Sequence, residues 1–73
     1  MASNIRIRLG VRIRDLRLER SWRQIDLAVH AELSKTHICD IETGKRQIGI
    51  EALERIATAL DMKPSELLRQ IQN

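Results

Sequence analysis

Between Gln24 and Thr43 the apolar residues fall on two helical periods separated by one short break, and this constrains the chain more than any other feature. Leu27, Ala28 and Ala31 form one stripe, Leu33 sits in the connection, and Ile38 and Ile41 form a second stripe at i, i+3 spacing. The pattern is that of two short helices crossing at a tight turn. Ala28 lets a backbone approach closely, and Ser34 suits the N-cap of the second helix. Lys35, Thr36, Cys39, Asp40 and Thr43 then lie on the outward face. A short helix with small polar side chains and a basic flank is what a DNA major groove accepts.

The rest of the chain reads as three more helices and no strand, giving an all-α, five-helix domain over residues 1 to 73. Leu9, Ile13 and Leu16 form the buried stripe of a first helix at about residues 6 to 20. The alternation from Ile5 to Arg14 is a strand signal, but Leu16, Arg17 and Leu18 break it and no partner strand exists. Met1 to Asn4 are expected to form a disordered arm. Gly44 is a natural C′ residue for helix 3. Leu53, Ile56, Ala57 and Leu60 form an amphipathic fourth helix, and Pro64 opens a fifth whose apolar face is Leu67, Leu68 and Ile71.

Three pairs, Trp22 with Leu27, Leu33 with Ile38 and Ile48 with Leu53, are spaced as hydrophobic staples that fix the approach angles of helices 2, 3 and 4. On that register Arg23 is the N-cap of helix 2. A competing register makes Ser21 the cap with Gln24 at N3, a capping box. The first is preferred because it keeps the staple, and it leaves Gln24 at the positive helix end within reach of a phosphate.

A chain of 73 residues has room for one small core, burying only about 60% of the unfolded surface, so dimerisation would help it. No apolar run approaches the roughly 20 residues of a membrane span, and the N-terminus lacks the uninterrupted apolar segment of a signal peptide, so a cytoplasmic protein is expected. The single cysteine, Cys39, excludes an intrachain disulfide and a Cys-based zinc site. His37 and Cys39 stand about 200° apart on a helix and cannot form a nucleophile and base pair. No grouping has the spacing of a triad or a metal site, so neither catalysis, a cofactor nor a small-molecule ligand is inferred. Through residue 23 there are seven arginines against two acids, and beyond it six bases against eight acids. A basic first quarter suits a polyanion on one face, and equally suits arginines that merely solvate helix 1.

The chain resembles the phage repressor and Cro family, often called Xre-like. The likeness is carried by Ile13-Arg14-Asp15-Leu16-Arg17, the stretch Gln24 to Ala28, Ile38 to Glu42 with Gly44-Lys45, Leu53-Glu54-Arg55-Ile56-Ala57, and Ser65-Glu66-Leu67-Leu68. The resemblance implies a helix-turn-helix made by helices 2 and 3, with Arg17 paired to Glu42 to lock the recognition helix. It points to Lys35, Thr36 and Asp40 as base readers, and the chemistry agrees: lysine donates to guanine, threonine meets the thymine methyl and a carboxylate accepts from cytosine. Arg23, Gln24, His37, Lys45 and Arg46 are candidate phosphate contacts, and Cys39 stands where the family often has serine.

Glu32 replaces the family's turn glycine, at a cost on the order of 1 kcal/mol. Ser21 and Asp61 likewise replace glycines that end helices 1 and 4. Two functions fit. One is a homodimeric regulator of double-stranded DNA on a pseudo-palindromic operator, dimerising through Met62, Leu68 and Ile71 and similar in layout to controller proteins of restriction and modification systems. The other is an antitoxin-like module that neutralises a partner protein, for which the chain has no spare gripping segment.

Overall fold

The computed structural model describes residues 4 to 69. In them the chain forms α1 (Ile5–Glu19), α2 (Gln24–Ala31), α3 (Lys35–Glu42), α4 (Ile50–Ala59) and α5 (Pro64–Arg69), with no strand. Asn4 is not the end of a disordered arm: it is the N-cap of α1, and its carbonyl accepts the Arg8 amide at 2.9 Å. The other three residues of that expected arm, and Ile71, lie outside the described residues. Because Ile5 to Arg14 is helix, its alternation leaves Ile5, Ile7 and Val11 exposed at 51, 47 and 45%, while Leu9 and Ile13 reach the core and Leu16 packs at its edge.

Ile13, Leu27, Ile38, Ile56, Leu60 and Leu67 are the largest fully buried side chains, drawn from all five helices and from the turn after α4. Each contributes roughly 1.5 to 3 kcal/mol relative to exposure. α2 packs on both α3 and α4, α1 crosses α3, and α5 closes against α1 and α4. The crossing of α1 over α3 occurs at Gly10, which is buried; a Cβ there would overlap the carbonyl oxygens of Ile41 and Glu42. Backbone approaches backbone at that point, and α3 is seated by it.

The helix starts follow the staple register. Arg23, Ser34 and Gly49 are the N-caps of α2, α3 and α4, and Trp22, Leu33 and Ile48 before them pack against the core. Ser21 cannot cap α2, because its φ is 58° and it terminates α1 instead. The Arg23 guanidinium carries only donors and cannot accept an amide of α2, so the cap is made from the other side: Asp26 Oδ2 accepts the Arg23 backbone N–H at 2.8 Å. α5 opens in the same way, with Glu66 Oε1 accepting the Lys63 amide at 2.9 Å.

The helix ends repeat one device. In each of α1 to α4 the two residues beyond the last turn donate back to carbonyls in a Schellman pattern, as in Trp22 N–H to Arg17 O at 3.2 Å and Leu33 N–H to Ala28 O at 2.9 Å. Lys45 to Asp40 and Met62 to Ala57 complete the set at 2.9 and 2.8 Å. The pattern requires a left-handed residue, and the chain supplies Ser21, Glu32, Gly44 and Asp61 at φ 58, 59, 77 and 60°. Only one of the four is glycine. Each of the others carries about 1 kcal/mol of strain.

Candidate nucleic-acid interface

The inner face of α3 is fixed by Ile38, Ile41 and Glu42, all buried. Lys35, Thr36 and Thr43 are therefore exposed, and His37, Cys39 and Asp40 are half-buried around the outer face. Ser34 Oγ accepts the His37 amide at 3.0 Å, which satisfies one donor of the first turn and leaves Lys35 at the helix's leading edge. The Thr43 hydroxyl turns back to donate to the Cys39 carbonyl at 2.9 Å.

Beneath this face lies a buried polar network. Arg17 from α1 donates through Nε to Glu42 Oε2 at 2.7 Å and through Nη2 to Glu42 Oε1 at 3.0 Å, a bidentate pair with both residues under a tenth exposed. The remaining guanidinium nitrogen, Nη1, donates to the Trp22 carbonyl at 2.8 Å. Gln24, the first residue of α2, donates its Nε2 to Glu42 Oε1 at 3.1 Å. Thus α1, α2 and α3 meet at one carboxylate, and no buried side-chain nitrogen or oxygen among the described residues lacks a partner. Gln24 is a scaffold residue in this state as well as a candidate phosphate contact. Nothing in its spacing revealed that second role.

Two of the other candidates face each other: Arg46 Nη2 lies 3.3 Å from Asp40 Oδ2. Arg46 and His37 also line an open groove between α3 and α4 together with Gln47 and Ile50. Lys45 is exposed just beyond the left-handed Gly44. Arg23, at the start of α2, is exposed and paired to Asp26 Oδ1 at 3.1 Å. The side-chain hydrogen bond from Arg23, then its backbone N–H, hold the Asp26 carboxyl below the usual carboxylate range. That carboxylate in turn raises Arg23. Trp22 stacks on His30 with ring centroids 4.3 Å apart, and His30 Nδ1 donates to the Asp26 carbonyl at 2.8 Å, which braces the same corner.

The arginine-rich first quarter does not form one free polyanion face. Arg12 Nε donates to the Leu67 carbonyl at 2.9 Å, Arg17 holds Glu42, and Arg20 Nη2 donates to the Leu60 carbonyl at 2.5 Å. These three tie the ends of α3, α4 and α5 to α1. A guanidinium carries several donors in a fixed fork, so it suits both this task and phosphate recognition. Charge counts cannot separate the two uses. Met62 and Leu68 are half-buried against the core at the α4 to α5 end, next to the fully buried Leu67.

Sequence reading also missed Gly10 and Arg55. Gly10 is signalled only by a glycine in the middle of a helical pattern. Arg55 donates to the Glu32 carbonyl in the α2 to α3 turn at 3.0 Å, across a separation that no local pattern reveals. Among the described residues no group of three or more His, Cys, Asp and Glu is placed to hold a metal ion, and no helix is long and apolar enough to cross a membrane.

A short polar-faced helix set across a second one by a tight turn, and held to a third by a buried ion pair, is the geometry of a helix-turn-helix. The family profile described as a helix-turn-helix domain matches residues 8–70, and the chain belongs to that family. Within it, the chain is 39% identical over 69 residues to the control protein C.BamHI of Bacillus amyloliquefaciens, spanning 93% of this chain and 85% of that one. It is 34% identical over 71 residues to the control protein C.MunI of a Mycoplasma species, spanning 96% of each chain. The crystal structure of the restriction-modification controller protein C.AhdI from Aeromonas hydrophila superposes with a TM-score of 0.81 at 33% identity, covering 84% of this chain and 92% of that one.

Proposed function

We propose that the chain is a homodimeric transcriptional regulator that reads a pseudo-palindromic operator with α3 in the major groove, and that it controls a restriction and modification system, the task for which the structurally similar C.AhdI is named. The observation that carries this reading is the orientation of α3. Glu42 and the two isoleucines anchor one side, which leaves Lys35 and Thr36 exposed and Asp40 half-exposed around the rest of the helix. Arg23 and Gln24 open α2 and Lys45 and Arg46 follow α3, and this reading assigns all four to the phosphates that border the groove. His37 lines the groove toward α4.

The Arg46 to Asp40 contact gives the two residues a shared task. A phosphate that takes Arg46 frees the Asp40 carboxylate to accept from cytosine N4. On a wrong sequence the same carboxylate repels the backbone without compensation, which adds discrimination. Dimerisation through Met62, Leu68 and Ile71 would place two copies of α3 one helical turn apart, about 10 base pairs between half-sites.

Binding-site selection from random duplexes, followed by salt titration of the winning site, tests this. The expected result is an enriched palindrome with half-sites about 10 base pairs apart and log affinity falling linearly with log salt. Equal affinity for random and selected DNA would refute it. Sedimentation of the free protein and of the complex reads the dimer independently.

A further inference from the structure

Three of the four left-handed turns are built on residues that resist that conformation, and at each one a carbonyl at or beside the strained residue accepts from an arginine. Arg17 holds the Trp22 carbonyl, one residue after Ser21, at 2.8 Å. Arg20 holds the Leu60 carbonyl, one residue before Asp61, at 2.5 Å. Arg55 holds the carbonyl of Glu32 itself at 3.0 Å. A strained backbone persists only where its surroundings over-determine it. These guanidinium contacts add to the backbone hydrogen bonds that close each turn.

We infer that Arg55, on α4 and outside the helix-turn-helix, is a positioning residue for DNA recognition: it clamps the α2 to α3 turn and so sets where α3 points. Arg55 precedes Ile56 and Ala57, both fully buried, so its backbone is rigidly held while its side chain reaches across to the turn. The turn is short, running from Ala31 to Lys35, and Glu32 sits at φ 59° and ψ 42° within it. If Glu32 relaxed toward a negative φ, the chain direction would change at the residue on which the start of α3 depends. The hydrogen bond from the Leu33 N–H to the Ala28 carbonyl would open with it. The clamp lies at the surface, so it acts on geometry far more than on the core.

The role separates cleanly from a phosphate contact. An arginine that touches DNA contributes to the salt dependence, whereas a clamp does not. A clamp is also dispensable once the turn no longer resists its conformation, which Glu32→Gly achieves. The inference rests on the reading that α3 recognises DNA, and Lys35→Ala on the selected operator controls for that reading.

The experiment compares wild type, Arg55→Ala, Glu32→Gly and the double variant. Hydrogen exchange at the Leu33 amide is measured without DNA, and affinity for the selected operator is measured at several salt concentrations. Arg55→Ala is expected to quicken Leu33 exchange and weaken operator binding by about three- to tenfold, the equivalent of one hydrogen bond, with the salt slope unchanged. Glu32→Gly is expected to restore both in the double variant. Unchanged Leu33 exchange in Arg55→Ala, a salt slope reduced by about one, or a loss that Glu32→Gly does not rescue would each overturn the clamp. If Lys35→Ala has no effect on the operator, the recognition reading fails instead, and Leu33 exchange still decides whether the clamp exists.

Discussion

Replacing either Arg17 or Glu42 with alanine is expected to destabilise the protein by about 3 kcal/mol, a large part of the stability of so small a domain. The reason lies in what is left behind. Glu42→Ala strands a buried guanidinium whose Nε and Nη2 lose their acceptor, and it orphans the Gln24 amide as well. Arg17→Ala leaves a carboxylate buried with only Gln24 for company and releases the Trp22 carbonyl. A lone buried charge is costly, whereas removing both partners relieves the desolvation penalty together with the attraction. The double variant should therefore lose much less than the sum of the singles. Denaturant melts of the three variants read this directly, and additive losses below about 0.5 kcal/mol each would mean that the pair acts as two independent surface charges.

Gly10→Ala is expected to cost about 2 to 3 kcal/mol, although alanine is the better helix former by roughly 1 kcal/mol. The new Cβ would stand 2.8 Å from the Glu42 carbonyl carbon and closer still to two carbonyl oxygens. These atoms are backbone, so no side chain can rotate away, and α1 must move off the end of α3. That movement also pulls Arg17 from Glu42. Gly49→Ala is the control, because nothing lies within 4 Å of the position its Cβ would take, and losing a glycine N-cap costs only a modest amount. Equal melting midpoints for Gly10→Ala and Gly49→Ala would show that α1 and α3 are not in backbone contact.

The five helices were legible because their signals are local. Staples, Ser34, Gly44 and Pro64 mark boundaries within a few residues of where they act, and the apolar periods of α2, α3 and α4 match their buried faces. α1 was harder to read, because arginine and isoleucine alternate along a helix that buries only one side. The identity of the polar partners was less accessible. Arg12, Arg20 and Arg55 reach carbonyls 55, 40 and 23 residues away, and sequence treats them as charge on a surface. Ser21, Glu32 and Asp61 could be placed at left-handed turns from the family pattern alone. Why the chain tolerates three of them becomes clear only when the guanidiniums beside them are seen.

The central claim is that the outward face of α3 reads bases while the residues beside it hold the backbone. Its most direct test is the affinity of Lys35→Ala, Asp40→Ala and Lys45→Ala for the selected operator and its single-base variants. Lys45→Ala should weaken every sequence by a similar factor and reduce the salt slope by about one. Lys35→Ala and Asp40→Ala should each relax preference at particular positions, with a lost contact worth about 1 to 3 kcal/mol. Asp40→Ala is the most telling, since removing an acid should raise affinity for unrelated DNA while lowering discrimination. A uniform loss across all sequences for both Lys35→Ala and Asp40→Ala would contradict the assignment of α3 as the reading helix.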